Sequence, residues 1–119
     1  MLLLHVIDDF VLQPACLSKL KQKSWWIENL PQHEAFGKYR DDYKAALCMH
    51  ALSWAIMINL PIFLIASELA VSISVLLNFI VHYFIDDLKA NKHKINLQQD
   101  QSIHIIQIFM TWILLTIII

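Results

Sequence analysis

Three long apolar segments constrain this chain more than any other feature. Residues of about 45–66, 69–88 and 100–119 are rich in Leu, Ile, Val and Phe and contain few charged side chains. About 20 apolar residues in a helix cross the hydrocarbon core of a bilayer. A chain of 119 residues, 58% of them hydrophobic, has no soluble interior large enough to hide these segments. The sequence therefore predicts one all-α domain over residues 1–119, a polytopic integral membrane helical bundle with three spanning helices.

The N-terminal segment, residues 2–13, is apolar but too short to cross a bilayer. A helix of a dozen residues covers roughly 18 Å, and Pro14 ends it. No basic region precedes its apolar stretch, which Asp8 and Asp9 interrupt, so we expect it to stay in the mature fold rather than to act as a signal peptide. The sequence predicts a short N-terminal half-inserted helix that leans on the other three.

The stretch 15–44 is polar and is predicted to be a loop on the aqueous side. Trp25 and Trp26 in this loop fit two roles, either as anchors at the membrane interface or as side chains that pack on the end of the bundle.

The basic residues predict the orientation. All nine lie in two places, between the first and second segments and between the third and fourth, and the connection near Pro61 has none. Lysine and arginine accumulate in cytoplasmic loops. The sequence therefore predicts a cytoplasmic 15–44 region and 88–99 loop, and a C-terminus on the non-cytoplasmic side. The residues are Lys19, Lys21, Lys23, Lys38, Arg40 and Lys44, and then Lys89, Lys92 and Lys94.

Each helical segment carries a polar stripe. Residues three or four apart share one face of a helix, and three of the segments have a His and an Asp one turn apart on such a face. The four stripes are His5, Asp9 and Gln13; His50 and Ser53; Ser74, Asn78, His82 and Asp86; and Asp100, His104, Gln107 and Thr111.

These polar residues are expected to point inward. A carboxylate deep in a membrane helix costs about 2.5 to 3.5 kcal/mol even on the mild scale, so it faces protein or water and finds a partner. The His/Asp pairs also lie at the ends of their helices next to the basic loops, which places them at one depth. Neutral imidazole and carboxylate are the usual ligands of zinc and related divalent ions. The predicted ligands, for about one ion per chain, are His5, Asp9, His50, His82, Asp86, Asp100 and His104.

Two other interpretations of the stripes stay open. Each His could hydrogen-bond the Asp one turn away in a packing network without metal, or the cluster could carry protons or ions through the bundle. Asp8 and Asp87 are predicted to lie on other helix faces, and His33 and His93 to be solvated. Lys44 and Lys89 either snorkel or hold an anion at the cytoplasmic side.

Several motifs resemble a known family. The stretches "HVIDDFVLQ", "KAALCMH", "HYFIDDLK" and "DQSIH" are similar to the motifs of a family of small bacterial and phage membrane proteins that is catalogued as a domain of unknown function. The resemblance covers nearly the whole chain and implies a bacterial inner-membrane location, but it implies no activity. A looser similarity is to bacterial inner-membrane proteins proposed as metal-dependent hydrolases. The positions that match the family pattern are His5, Asp9, Gln13, His50, His82, Asp86, Asp100, Gln101 and His104.

The sequence predicts a divalent-metal-dependent membrane hydrolase, with zinc as the first candidate ion. Its substrate is expected to be a lipid headgroup, a phosphoester or another small molecule reached from the cytoplasm. Asp86 is the first candidate for the catalytic base, followed by Asp9 and Asp100.

The alternative is a non-enzymatic accessory protein in which the cluster is structural. The expected partners are the bilayer and either another membrane protein or a second copy of the chain. The net charge of −1 and the lack of a basic aromatic patch predict no nucleic-acid partner.

Overall fold

The structure, a computed structural model, describes residues 1–30 and 35–118, and within those ranges every regular element is helical. The stretch 31–34, which includes His33, and Ile119 lie outside the described residues. In chain order the elements are α1 (Leu2–Val6), which continues as a π-helical segment (Ile7–Leu12), α2 (Ala15–Leu20), α3 (Lys23–Asn29), α4 (Ala35–Tyr39), α5 (Asp42–Asn59), which continues as a 3-10 turn (Leu60–Ile62), α6 (Glu68–Ala90) and α7 (Leu97–Ile118).

In the part of the chain that the structure describes, three helices are long and apolar enough to cross a membrane, as predicted. They cover Gly37–Ile62, Glu68–Ala90 and Leu97–Ile117. Their outer faces expose large apolar side chains such as Leu69, Phe84 and Phe109, which a lipid environment would cover.

The first of the three candidate spans was predicted over about 45–66, with a kink at Pro61 after residue 60. In the structure α5 begins at Asp42, tightens into the 3-10 turn at Leu60–Ile62 and stops there. Pro61 has no backbone N–H to continue the α-helical hydrogen bonds, so the ladder breaks there. Ser67 then begins α6, because its hydroxyl accepts the backbone N–H of Ala70 as an N-cap.

Within its described residues, the predicted polar loop 15–44 contains three short helices, α2, α3 and α4. Trp26 donates its indole N–H to the Leu20 carbonyl at 2.9 Å and stacks on Tyr39, so it packs within this segment. The backbone N–H of Lys23 donates to Asn91 Oδ1 at 2.7 Å, and Asn91 Nδ2 donates to the Lys21 carbonyl at 3.2 Å. These bonds hold the segment over the C-terminal end of α6, which leads into the basic turn.

The N-terminal helix packs between α5 and α7. His5 contacts Trp54 of α5 on one side and Gln101 of α7 on the other. At the other end of this helix, Met1 packs against a small apolar core of Trp54, Ile58 and Ile108. The short helix therefore completes a four-helix arrangement around the polar stripes.

Candidate metal centre

The structure brings the polar stripes of four helices into one buried cluster. His82 and His104 are fully buried, Asp100 is 1% exposed and His50 is 2% exposed. Asp86 and Asp9 complete the set from α6 and the N-terminal helix. Six of the seven residues predicted as ligands therefore meet at one end of the bundle, and the seventh, His5, lies beside Asp9.

Helix geometry explains why these side chains meet. The four-residue spacing places His82 above Asp86 on α6 and Asp100 above His104 on α7. The π-helical turn at Ile7–Leu12 is wider than an α-helical turn. It allows Asp8 as well as Asp9 to face the bundle, so the prediction that Asp8 lies on another face is wrong. Asp8 is buried and accepts the Ser53 hydroxyl at 2.6 Å.

One group of three residues lies between α6 and α7. His104 Nε2 is 3.5 Å from Asp86 Oδ1, and His82 Nε2 is 3.6 Å from the same oxygen. His104 Nε2 also lies 3.3 Å from Asp100 Oδ1. We call the set His82, Asp86 and His104 the inner triad, with Asp100 as its neighbour.

A second group of three lies on the side of α5 and the N-terminal helix. His50 Nε2 is 3.4 Å from Asp9 Oδ1 and 3.5 Å from Asp86 Oδ2. Ligand atoms of Asp9, His50 and His82 all lie within 4.8 Å of one another. Because His82 belongs to both groups, it is the residue on which any ion at this level would depend.

The separations match those between ligands of one metal ion. Two ligand atoms each about 2.0–2.1 Å from a tetrahedral zinc lie about 3.3 Å from each other. The His-to-Asp distances in the cluster run from 3.3 to 3.8 Å. A neutral N–H···O hydrogen bond is shorter, at about 2.9–3.0 Å.

Several of these atoms also have no hydrogen-bond partner among the described residues. They are both ring nitrogens of His82 and of His104, and one carboxylate oxygen each of Asp8, Asp9 and Asp100. Buried polar groups without partners are rare, because each loses its hydration at a cost of about 1–3 kcal/mol. A concentration of them at one point is the pattern that a bound ion would relieve.

Trp54 forms one wall of the cluster, and the sequence analysis did not identify it. Its indole stacks on His82 with ring centroids 4.2 Å apart, and His82 stacks on His104 at 4.1 Å. Trp54 lies one turn after His50 on the same face of α5, so the same spacing rule that found the histidine would have found it.

His5 supports the cluster rather than facing its centre. Its Nδ1 accepts the Trp54 indole N–H at 2.7 Å and its Nε2 donates to Gln101 Oε1 at 3.2 Å, so both ring nitrogens are in use. Burial lowers the pKa of the His5 imidazole, in keeping with a neutral ring. Gln101 in turn donates to Asp9 Oδ2 and to Asp100 Oδ2, both at 3.2 Å. His5 and Gln101 therefore fix the orientation of two carboxylates.

Two lysines reach the cluster from the aqueous side. Lys21 of the short α2–α3 connection is buried and lies 2.6 Å from Asp86 Oδ2, and Lys89 Nζ lies 2.5 Å from Asp100 Oδ2. The sequence analysis did not identify Lys21, since nothing in a polar loop indicates that it folds back into the bundle. With the histidines counted as neutral, four carboxylates (Asp8, Asp9, Asp86 and Asp100) against two ammonium groups leave an excess of negative charge that a divalent cation would offset.

The other polar residues singled out in the sequence lie either in a layer beside the cluster or away from it. Ser74, Asn78, Gln107 and Thr111 form a neutral layer next to the cluster, in which Gln107 Nε2 donates to Asn78 Oδ1 at 2.8 Å. Lys44 pairs with Asp41 and Asp87 pairs with Lys92, both away from the histidines. His93 is exposed, as predicted.

A cleft of about 390 Å³ leads from the basic end of the bundle to the cluster. Its walls include Asp9, His50, Asp86 and Asp100, and Lys21, Lys89 and His93 also line it. The buried cluster is thus reachable by a small polar molecule.

Comparison with known proteins gives a family and no activity. The model of a family described as "Protein of unknown function (DUF3307)" matches residues 1–119. Neither the curated proteins nor the solved structures contain a significant match.

Proposed function

We propose that the chain, which belongs to this family of proteins of unknown function (DUF3307), binds one divalent metal ion and hydrolyses a phosphoester or a lipid headgroup. The observation that carries the proposal is a set of distances of 3.3–3.6 Å between histidine Nε2 and aspartate Oδ1 atoms in the inner triad and Asp100. Most of these buried atoms have no hydrogen-bond partner among the described residues. Two imidazoles with one carboxylate favour zinc or a similar ion over magnesium or calcium, which prefer oxygen ligands.

The two groups of three residues have different proposed roles. In this proposal, His82, His104 and Asp86 would hold the ion, and the fourth position would stay open to water beside Asp100, whose Oδ1 lies 3.3 Å from His104 Nε2. His50 lies close enough to Asp86 to orient it, and His5 positions Asp9 through Gln101. A bound zinc ion lowers the pKa of water at its open position to about 7.

Asp9 fits the role of general base better than Asp86, the first candidate from the sequence. Asp86 is engaged by two histidines and Lys21, whereas Asp9 Oδ1 is free of hydrogen-bond partners among the described residues and lines the cleft. Asp9 would take a proton from water as the water oxygen attacks phosphorus. The ester P–O bond would break and the leaving alkoxide would receive the proton held by Asp9, so the products are an alcohol and a phosphate.

The proposed location is the bacterial inner membrane, with the cleft open to the cytoplasm and the C-terminus on the other side. The segregation of basic residues supports this orientation, because the cleft opens at the end of the bundle where both basic stretches lie.

The test is hydrolysis by purified protein in detergent. Phosphate release from phosphomonoesters and phosphatidic acid should depend on added zinc or manganese, stop with a chelator and be absent in Asp9→Asn. A protein that contains zinc but hydrolyses none of these substrates at a rate above that of Asp9→Asn would remove the phosphoesterase activity and leave the metal site.

A second candidate function is that of a non-enzymatic accessory protein that binds another membrane protein. The observation that favours it is an apolar groove of about 580 Å³ between α6 and α7, which Leu77, Met110 and Leu114 line. Gln107 also lines this groove, and its Oε1 has no hydrogen-bond partner among the described residues. A partner helix with a hydroxyl or amide donor would satisfy it.

A further inference from the structure

We infer that Lys21 and Lys89 bind the phosphate group of an anionic substrate at the mouth of the metal cleft. The inference rests on the proposed function and adds the substrate class and the residues that select it. Both side chains line the cleft, and they enter it from different elements, Lys21 after α2 and Lys89 near the end of α6.

The two ammonium groups flank one point. Lys21 contacts Asp86 Oδ2 and Lys89 contacts Asp100 Oδ2, while the Oδ1 atoms of both carboxylates face the same His104 Nε2, at 3.5 and 3.3 Å. Each lysine is therefore separated from the proposed ion by one carboxylate group. An anion seated at the ion would meet a positive charge on either side.

Each of the two lysines also has N–H donors that are not used in hydrogen bonds to the described residues. An ammonium group has three N–H donors, and among the described residues each of these two has a single hydrogen-bond partner, its carboxylate. A carboxylate that shares its charge with a metal ion also attracts the ammonium less strongly. The remaining donors then become the natural partners of phosphate oxygens, which lysine binds as a point charge.

Burial separates Lys21 from the other basic residues. Lys21 is 8% exposed although it lies in a polar segment, whereas Lys89 is partly exposed and Lys19 and Lys92 are exposed. Burying an ammonium is costly unless it is paired, and within the described part of the chain the Lys21 ammonium has only Asp86 as a partner. A role in neutralising Asp86 explains part of this arrangement, and a phosphate between two ammonium groups explains why both line the same cleft.

The experiment measures phosphate binding to the zinc-loaded chain. Wild type, Lys21→Met, Lys89→Met and the double variant are titrated with inorganic phosphate in detergent by calorimetry. The zinc content of each is determined in parallel. Lys92→Met is the matched control, because Lys92 pairs with Asp87 outside the cleft. Lys21→Arg keeps the charge and serves as a second control, and Lys89→Met tests the inference where Lys21→Met does not fold.

A second arm identifies the source of the phosphate group. The same proteins are placed in nanodiscs that contain phosphatidic acid or only phosphatidylcholine. Tighter lysine-dependent binding in phosphatidic acid nanodiscs identifies a lipid headgroup, and lysine-dependent binding of inorganic phosphate alone identifies a soluble phosphoester.

The expected result is a Kd for phosphate at least tenfold higher in each Lys→Met variant. Zinc content should be unchanged in these variants, and Lys92→Met and Lys21→Arg should stay within about twofold of wild type. Zinc-loaded wild type that binds neither ligand, or a double variant that binds as tightly as wild type, would overturn the inference and leave the metal site standing. A chain that takes up no zinc overturns the proposed function, and the inference falls with it.

Discussion

His104 of α7 and Asp86 of α6 face each other across the helix interface, with Nε2 and Oδ1 3.5 Å apart. Both are buried, and neither ring nitrogen of His104 has a hydrogen-bond partner among the described residues. This distance is long for a hydrogen bond and close to the separation of two ligands on one zinc ion. The pair therefore links the packing of the bundle to its proposed chemistry.

Asp9→Asn and Asp86→Asn should have different effects, because Asp9 is the proposed general base and Asp86 is a proposed metal ligand. Asp9→Asn should retain zinc, change the free energy of unfolding by no more than about 1 kcal/mol and abolish hydrolysis. Asp86→Asn should weaken zinc binding at least tenfold, because an amide oxygen is a poorer ligand and Lys21 loses its charged partner.

The adjacent Asp87→Asn is the control for this pair, since Asp87 contacts Lys92 and Asn91 outside the cluster. Zinc titration and thermal unfolding in detergent supply the measurements. If Asp9→Asn, Asp86→Asn and Asp100→Asn all kept full activity, no carboxylate would remain as the base and the accessory-protein interpretation would replace the hydrolase.

Removal of the metal should destabilise the chain. An ion that binds only the folded state adds about 2.7 kcal/mol at a free concentration of 100 times its Kd. Thermal unfolding in the presence of zinc should therefore occur at a higher temperature than with a chelator, and magnesium should have little effect, since imidazole ligands favour zinc. Identical unfolding curves with zinc and with chelator would count against a site in the folded state.

Among the residues of the cluster that are not proposed metal ligands, Trp54 should be the one whose replacement by Ala destabilises the chain most. Removing a buried aromatic costs about 3–5 kcal/mol, and His5 Nδ1 and the face of His82 would lose their partner. Trp54→Phe keeps the ring contact and should cost about 1–3 kcal/mol for the unpaired nitrogen.

Trp112→Ala is the control for Trp54, because Trp112 lies half exposed on the outer face of α7. Thermal unfolding in one detergent compares them. Equal stability of Trp54→Ala and Trp112→Ala would mean that Trp54 does not organise the cluster.

The orientation predicts where fusions will be active. A reporter that works only in the cytoplasm should be inactive at the C-terminus and active when inserted after Lys92, because the basic residues hold that turn inside. The opposite pattern would place the cleft on the non-cytoplasmic side and exclude a cytoplasmic substrate.

The sequence was informative where helix periodicity sets the outcome. The i, i+4 spacing identified His82 with Asp86 and Asp100 with His104, and apolar length identified three candidate spans. The sequence did not predict those features that depend on tertiary structure. The π-helical turn that brings in Asp8 depends on local backbone geometry. The burial of Lys21 depends on how α2 folds back over the bundle, which no pattern in a polar segment indicates.

Elemental analysis of the gently purified wild-type chain tests the metal centre most directly. We expect about one zinc-class ion per chain, lost in His82→Ala and in His104→Ala, and bound more weakly in His50→Ala because His50 orients Asp86. The ion should be retained in His93→Ala, whose side chain is exposed at the rim of the cleft. A wild-type chain with no transition metal, and with none taken up on titration, would show that the histidines and aspartates form a packing network without metal.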